Sequence, residues 1–194
     1  MRLVKKKCRI CKGDFFNKDS LSFKKMPSSA QKLPSKSNLK NDKGINLDVY
    51  QCRECGVVQI TNKPVSYFKK VIRSSAFSKE MINFRTKQFK KIIHKYNLKG
   101  KKIIEIGSGY GEYLSILKQS KLNAYGLEFS KKGVVVSRDK NLNVYEGYID
   151  SAKYKLKKGP FDAFFIFSFL EHLPNINKVL KSLHRNLNNE GVGI

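Results

Sequence analysis

The four cysteines of the chain fall into two C-x-x-C pairs, Cys8/Cys11 and Cys52/Cys55, separated by 40 residues. Each such turn can aim two thiolates at one point, and two turns together supply the four soft ligands of a tetrahedral zinc site. Gly13 and Gly56 follow the two pairs and let backbone N–H groups turn toward sulfur. Protein would fill all four positions, so such a site is structural. A redox C-x-x-C is the competing reading, while a reducing compartment argues against disulfides.

A second group of residues suits a nucleotide. Ile103-Ile104-Glu105-Ile106 is an apolar run broken by one acid, and Gly107-Ser108-Gly109-Tyr110-Gly111 follows it directly. Glycines allow a tight turn and remove the Cβ atoms that would hold a ligand off the backbone. A helix starting behind them offers unpaired N–H groups. Glu128 lies 17 residues after Gly111, where a βαβ unit carries its ribose-binding carboxylate. Its oxygens can accept from both ribose hydroxyls; the plainer alternative is a solvated glutamate at a strand end. His172 is a candidate general base, because an unperturbed imidazole titrates near pH ~6.5. Its alternative is a histidine that fixes a loop at a helix start. His94 and His184 fall in amphipathic stretches and are expected to be structural.

The elements that must position these residues are legible as periodic segments. Residues 103–106 read as a buried strand, and Leu114, Ile116 and Leu117 mark one side of the helix behind the glycines. Asn123–Phe129 reads as a second strand, and Asn143–Ile149 as a third, followed by Asp150. Phe161–Ser168 is almost continuously apolar, as a central parallel strand covered on both faces should be. Upstream, Phe77–Tyr96 predicts a helix with Ser78 as N-cap, Glu80 in its first turn, an apolar stripe from Met81 and Phe84 to Tyr96, and Gly100 ending it. Between the cysteine pairs, Lys24–Lys43, with Pro27 and Pro34, predicts an irregular excursion. Val57–Thr61 predicts a short strand.

The spacing G-x-G-x-G, with Glu105 two positions before the first glycine, resembles motif I of the Rossmann-like methyltransferases that use S-adenosylmethionine. A dinucleotide fingerprint would read G-x-G-x-x-G. The resemblance implies that Glu105, Gly107, Ser108, Gly109 and Gly111 bind the methionine part of the cofactor. It places the ribose at Glu128 beside Phe129 and the adenine near Tyr148, Ile149 and Asp150. Phe169-Leu170-Glu171-His172-Leu173-Pro174 is similar to the E-H-x-P segment that follows the fourth strand of these enzymes.

Composition bounds the function classes. The 194 residues suffice for one ordinary domain and a small module, and 40% of them are apolar. No run approaches the ~18 apolar residues of a membrane helix. The N-terminus, with Lys5, Lys6 and Lys7, lacks a signal-peptide apolar region, so a cytoplasmic location is the expectation. The net charge of +25 is uneven: residues 1–100 carry 25 Lys and Arg against 6 Asp and Glu, and residues 101–194 carry 15 against 9. A basic front half raises nucleic acid as a partner. However, 33 of the 40 cations are lysine, and arginine is the better bidentate reader of phosphates, so a solvated lysine-rich face is favoured.

The cysteine module, the segment Cys52-Arg53-Glu54-Cys55-Gly56-Val57-Val58-Gln59 and the methyltransferase core together resemble the sugar C-methyltransferase family. That resemblance implies a nucleotide-linked ketosugar, a base that removes a proton beside the ketone, and attack of the enolate on the methyl group. The family's Y-x-Y tyrosine pair falls on Val71 and Arg73 in this chain. The sequence stops at Gly191-Val192-Gly193-Ile194, read as the start of a fifth strand, so a fragment or a truncated product is expected. The predicted architecture is α/β: a zinc-binding module over 1–62, a connecting helical segment over 63–100, and an incomplete Rossmann-like methyltransferase core with a parallel sheet over 101–194. An RNA methyltransferase with a zinc knuckle and a truncated, non-catalytic relative are the alternatives to a small-molecule enzyme.

Overall fold

In the computed structural model, which describes residues 6–16, 21–28, 34–65 and 78–194, a three-stranded antiparallel sheet occupies the first of two units, Met1–Ile72. Its strands are β1 (Leu21–Met26), β2 (Ile45–Gln51) and β3 (Val58–Ile60), in that order. Leu21 pairs with Val49 and Phe23 with Leu47, and Val49 pairs in turn with Ile60. The expected irregular excursion over Lys24–Lys43 is thus corrected at both ends: it holds the end of β1 and a 3-10 turn over Lys36–Asn41. The pattern gave little warning because β1 is almost wholly exposed. Backbone pairing holds it, with no buried side-chain stripe to mark it. Among the described residues of this unit, only Cys8, Phe15 and Cys52 are buried. A core that small cannot offset the chain entropy of some sixty residues without a staple.

The second unit, Arg73–Ile194, opens with α1 (Lys79–Lys95). Ser78 caps it, its Oγ accepting from Met81 N at 3.2 Å. The helix ends before Gly100. Asn97 takes the left-handed conformation (φ 49°) and Leu98 N donates to Ile93 O, a Schellman-type finish. Phe89 and Ile93 are buried, whereas Met81, Phe84 and Tyr96 stay exposed, so only part of the predicted apolar stripe meets the core. Val71 and Arg73, together with Phe77, lie outside the described residues.

Five parallel strands follow: β4 (Lys102–Ile106), β5 (Asn123–Glu128), β6 (Asn143–Glu146), β7 (Phe161–Ile166) and β8 (Leu187–Gly193). Between them come α2 (Glu112–Gln119), α3 (Lys131–Asp139) and α4 (Ile176–Arg185). The sheet order is β6-β5-β4-β7-β8. The chain therefore reverses direction across the sheet at β4/β7, and in such sheets ligands bind outside the carboxyl ends of the strands at that switch point. Side chains alternate along β4. Ile103 joins the cluster of Phe89, Leu114, Leu117 and Val134 on the α1–α3 face, and Ile104 and Ile106 join Val179 and Leu183 on the α4 face. Glu105 is thereby turned toward α2.

Strand limits depart most from expectation at β6 and β8. β6 stops at Glu146 rather than Ile149, after one last bond from Gly147 N to Glu128 O. β8 begins at Leu187, four residues early. Its register jumps from Leu187 opposite Phe161 to Val192 opposite Ala163, so the intervening residues bulge out of the ladder and hide the strand from a period-two reading. Asp162 ties three strands: Oδ2 accepts from Lys102 N of β4 and Oδ1 from Asn188 Nδ2 of β8, each at 2.8 Å.

Candidate functional site

The turn between β4 and α2 is built from left-handed glycines: φ is 74° at Gly107, 57° at Gly109 and 78° at Gly111. Two of them are also forced by contact. A Cβ on Gly107 would stand 2.9 Å from the Phe169 ring, and one on Gly111 would run into Leu142. Gly107 N and Ser108 N both donate to Leu127 O, which anchors the turn to the end of β5. From behind, Ser137 Oγ donates to Gly109 O and Lys140 Nζ to Tyr110 O.

Glu128 is the hub of this edge. Its Oε2 accepts from Gly109 N at 2.8 Å and its Oε1 from Ser130 N at 2.7 Å. Each oxygen keeps a further lone pair for an external donor. The carboxylate thus touches both the glycine turn and the residue that caps α3, where Ser130 Oγ accepts from Gly133 N. Gly133 permits this approach, since a Cβ there would lie 2.8 Å from Gly109 O and 2.9 Å from Glu128 Cγ.

Beneath the turn, Glu105 is 2% exposed and its Oε2 has no partner among the described residues; Ser108 Oγ is likewise buried and has none among them. Two orphaned polar atoms under a glycine cradle fit a ligand with a polar head. The fit holds at the ribose position too, where Glu128 has acceptor capacity left over. Phe129 and Tyr148 meet edge to face, with centroids 5.9 Å apart, and so form an aromatic corner next to Glu128. Ile149 is buried with Ile106, Leu127 and Leu173, while Asp150 is exposed and helps burial hold the Tyr148 hydroxyl above its ordinary range. The structure therefore brings Glu105, the glycines, Ser108 and Glu128 together at the switch point, and sets Phe129 and Tyr148 beside them.

His172 is less engaged. It ends the 3-10 turn Leu170–His172, its side chain is 40% exposed, and its partner is Glu171 at 4.0 Å. Phe169, three residues earlier, is the residue of that segment that reaches the glycine turn, through Gly107. Sequence reasoning placed Phe169 in the E-H-x-P segment but gave it no role, because its side chain carries no polar chemistry. A cavity of about 670 Å³ lies elsewhere, at the amino edge of the sheet, where Lys90, Lys99 and Lys121 gather at the C-terminal ends of α1 and α2. Lysines there complement the helix dipoles.

The four cysteines converge as well, with all Sγ atoms within 4.8 Å of one another. Cys8 and Cys55 Sγ stand 3.7 Å apart and Cys11 and Cys52 3.4 Å, near the ~3.8 Å edge of a tetrahedron with metal–sulfur bonds of about 2.3 Å. The two knuckles repeat one fold. Cys8 N donates to Gly13 O and Lys12 N to Cys8 O, and likewise Cys52 N donates to Val57 O and Gly56 N to Cys52 O. Lys12 (φ 67°) therefore matches Gly56 (φ 70°), rather than Gly13 as the sequence implies. Gly13 N still points at Cys11 Sγ, Ile10 N at Cys8 Sγ, and Gln59 Nε2 donates to Cys8 Sγ at 3.2 Å. Burial raises the Cys8 thiol, but N–H donors from Cys11, Ile10 and Gln59 and the Cys55 thiol bring it down to about 6. At Cys11 the Gly13 N–H lowers the thiol, yet Cys52, burial and the other two sulfurs push it up to about 12. Four sulfurs this close ionise together only around a cation.

The buried acid generates a prediction. Burial holds the Glu105 carboxyl well above the usual carboxylate range, with the charges of Glu112 and Glu128 adding to it and the Leu114 N–H opposing. The folded state then binds this proton more tightly than the unfolded chain, so its contribution to stability declines as pH rises above about 4.3. Glu105→Gln should raise the urea midpoint at pH 8, with the gain shrinking toward pH 4. Equal gains at both pH values would refute the assignment.

Comparison with known proteins agrees with this geometry. Residues 104–194 match the family described as "Methyltransferase domain". No curated protein matches the chain. The solved plantazolicin methyltransferase BpumL, in complex with a monoazolic desmethylPZN analog and SAH, is similar over 60% of this chain and 48% of its own, at 22% identity and a TM-score of 0.50. An S-adenosylmethionine-dependent methyltransferase from Clostridium acetobutylicum ATCC 824 is similar over 65% and 52%, at 16% identity and a TM-score of 0.49. The glycopeptide N-methyltransferase MtfA complexed with sinefungin is similar over 55% and 50%, at 13% identity and a TM-score of 0.48. The chain spans about half the length of these solved structures. Residues 104–194 thus match a methyltransferase-domain family, and the chain shares the Rossmann-like fold of the solved BpumL structure.

Proposed function

We propose that this protein transfers a methyl group from S-adenosylmethionine to a small molecule, a nucleotide-linked sugar methylated at carbon, and that its four cysteines hold a structural zinc ion. The observation that carries the cofactor reading is Glu128, fixed by Gly109 N–H and Ser130 N–H at the switch point with acceptor capacity to spare. S-adenosylmethionine, when bound, supplies an electrophilic methyl group. The residues of this chain bind and orient it: Glu128 takes the ribose hydroxyls, Phe129 and Tyr148 flank the base, and the glycine turn meets the methionyl part above Glu105 and Ser108. In-line attack then depends mainly on positioning. His172 is the proposed general base for the acceptor, standing on the segment that Phe169 pins to Gly107. The sugar reading rests on the paired knuckles and on Cys52–Gln59, a segment that resembles one in the sugar C-methyltransferases.

Calorimetric titration of the zinc-loaded chain with S-adenosylhomocysteine tests the cofactor reading. Micromolar binding is expected, and no heat from a folded, metal-loaded sample overturns it. Glu128→Ala should weaken that binding at least tenfold; unchanged affinity would remove Glu128 from the site. His172→Ala should leave cofactor binding intact and lower turnover by about a hundredfold or more, in the range of a general base; full activity would end that assignment. Removing the metal with a chelator should abolish amide-exchange protection in β2 and β3 while the helices of the second unit keep theirs. Unchanged protection in β2 and β3 would show that the cysteines do not staple the unit.

A further inference from the structure

The amino edge of the sheet carries a cavity that the cofactor chemistry leaves unused. Its volume is about 670 Å³, and it opens between α1 and α2. Lys90, Ile93 and His94 of α1 line it, spaced three or four residues apart and so sharing one side of the helix. Ile116 of α2 lines it as well. Ile93 and Ile116 are buried in one apolar cluster, which gives the cavity an apolar floor. Lys99, just before β4, and Lys121, just before β5, join Lys90 and His94 at its exposed rim. Among the described residues, no acidic, arginine or aromatic side chain lines it, and no carboxylate pairs with any of the three lysines. Lys102, Lys118 and Lys140, by contrast, each donate to a backbone carbonyl. A helix dipole attracts cations only over the last turn. Lys90 lies before the last turn of α1, so the dipole alone does not account for the group.

The lining determines what such a place would take. A concave site with an apolar floor suits a small molecule. Single-stranded nucleic acid stacks its bases on aromatic rings, and this lining offers none. Without arginine it also lacks the fork that pairs with a planar carboxylate, whereas ammonium groups act on phosphate as point charges. We propose that the groove is a second ligand site, one that takes an organic phosphate. Lys90, Lys99 and Lys121 hold the phosphate, and Ile93 and Ile116 receive the apolar body. The glycine turn lies at the opposite ends of the strands, and β4 between them spans about 16 Å over its five residues. The groove is therefore separate from the glycine turn, and its occupancy does not depend on the methyltransferase reading.

Calorimetric titration with phenyl phosphate tests this. It should bind in the millimolar range or tighter, and inorganic phosphate, which lacks the apolar body, at least fivefold more weakly. Lys90→Gln/Lys121→Gln should weaken phenyl phosphate at least tenfold while S-adenosylhomocysteine binds as before. Lys153→Gln/Lys155→Gln, which removes the same charge from the exposed loop between β6 and β7, should leave phenyl phosphate unchanged. Equal loss in the two double variants would show that net charge alone attracts the anion, and would overturn the site. So would folded wild-type protein that fails to bind phenyl phosphate, or that binds benzoate or inorganic phosphate as tightly. A single-stranded RNA oligonucleotide that loses affinity in Lys90→Gln/Lys121→Gln, where phenyl phosphate does not, would overturn it in favour of nucleic acid. Protein that binds phenyl phosphate but no S-adenosylhomocysteine would sink the cofactor reading and leave the groove standing, so the two failures are distinct.

Discussion

The carboxylate of Glu128 is the joint on which the second unit turns. Two short hydrogen bonds from backbone N–H groups, one in the glycine turn and one at the cap of α3, converge on one side chain. That convergence needs β5 to end level with β4, α3 to start at once, and no side chain at Gly133 or in the turn to keep them apart. The parallel register of β4 and β5 and the reversal of strand order at β4/β7 supply the first condition. The glycines supply the rest.

The cysteine unit rests on the opposite economy. It has three backbone-paired strands and almost no buried apolar surface among its described residues, so its stability cannot come from a core. What it has is four sulfurs brought to near-tetrahedral distances by two copies of one turn. Four thiols this close resist ionising together unless a cation sits among them.

Much of this was legible in the sequence, and the reasons differ by element. The turn at Gly107–Gly111 and the acid at Glu128 were readable because local backbone geometry and strand length fix their spacing. The cysteine pairs were readable because metal ligation restricts both residue type and interval. β1 was not, since its side chains are exposed and only hydrogen bonds to a partner over twenty residues away define it. The early start of β8 was hidden by a bulge, and the repeat of the knuckle was misaligned because a lysine, Lys12, takes the conformation a glycine would normally supply. Phe169 was legible only as a member of a motif, without a role. It is one phenylalanine among 13, and only tertiary placement brings its ring against Gly107.

The supports behind the glycine turn have a thermodynamic consequence. Ser137, Lys140 and Leu142, all from the end of α3 and its exit, grip Gly109, Tyr110 and Gly111. The turn is therefore held in a single shape by the fold itself, and little conformational entropy remains in it for any ligand to remove. A glycine-rich segment is usually the part of a protein with the most freedom to lose. Here the scaffold removes that freedom during folding, so loosening α3 would loosen the turn from a distance without changing a single atom of the turn itself.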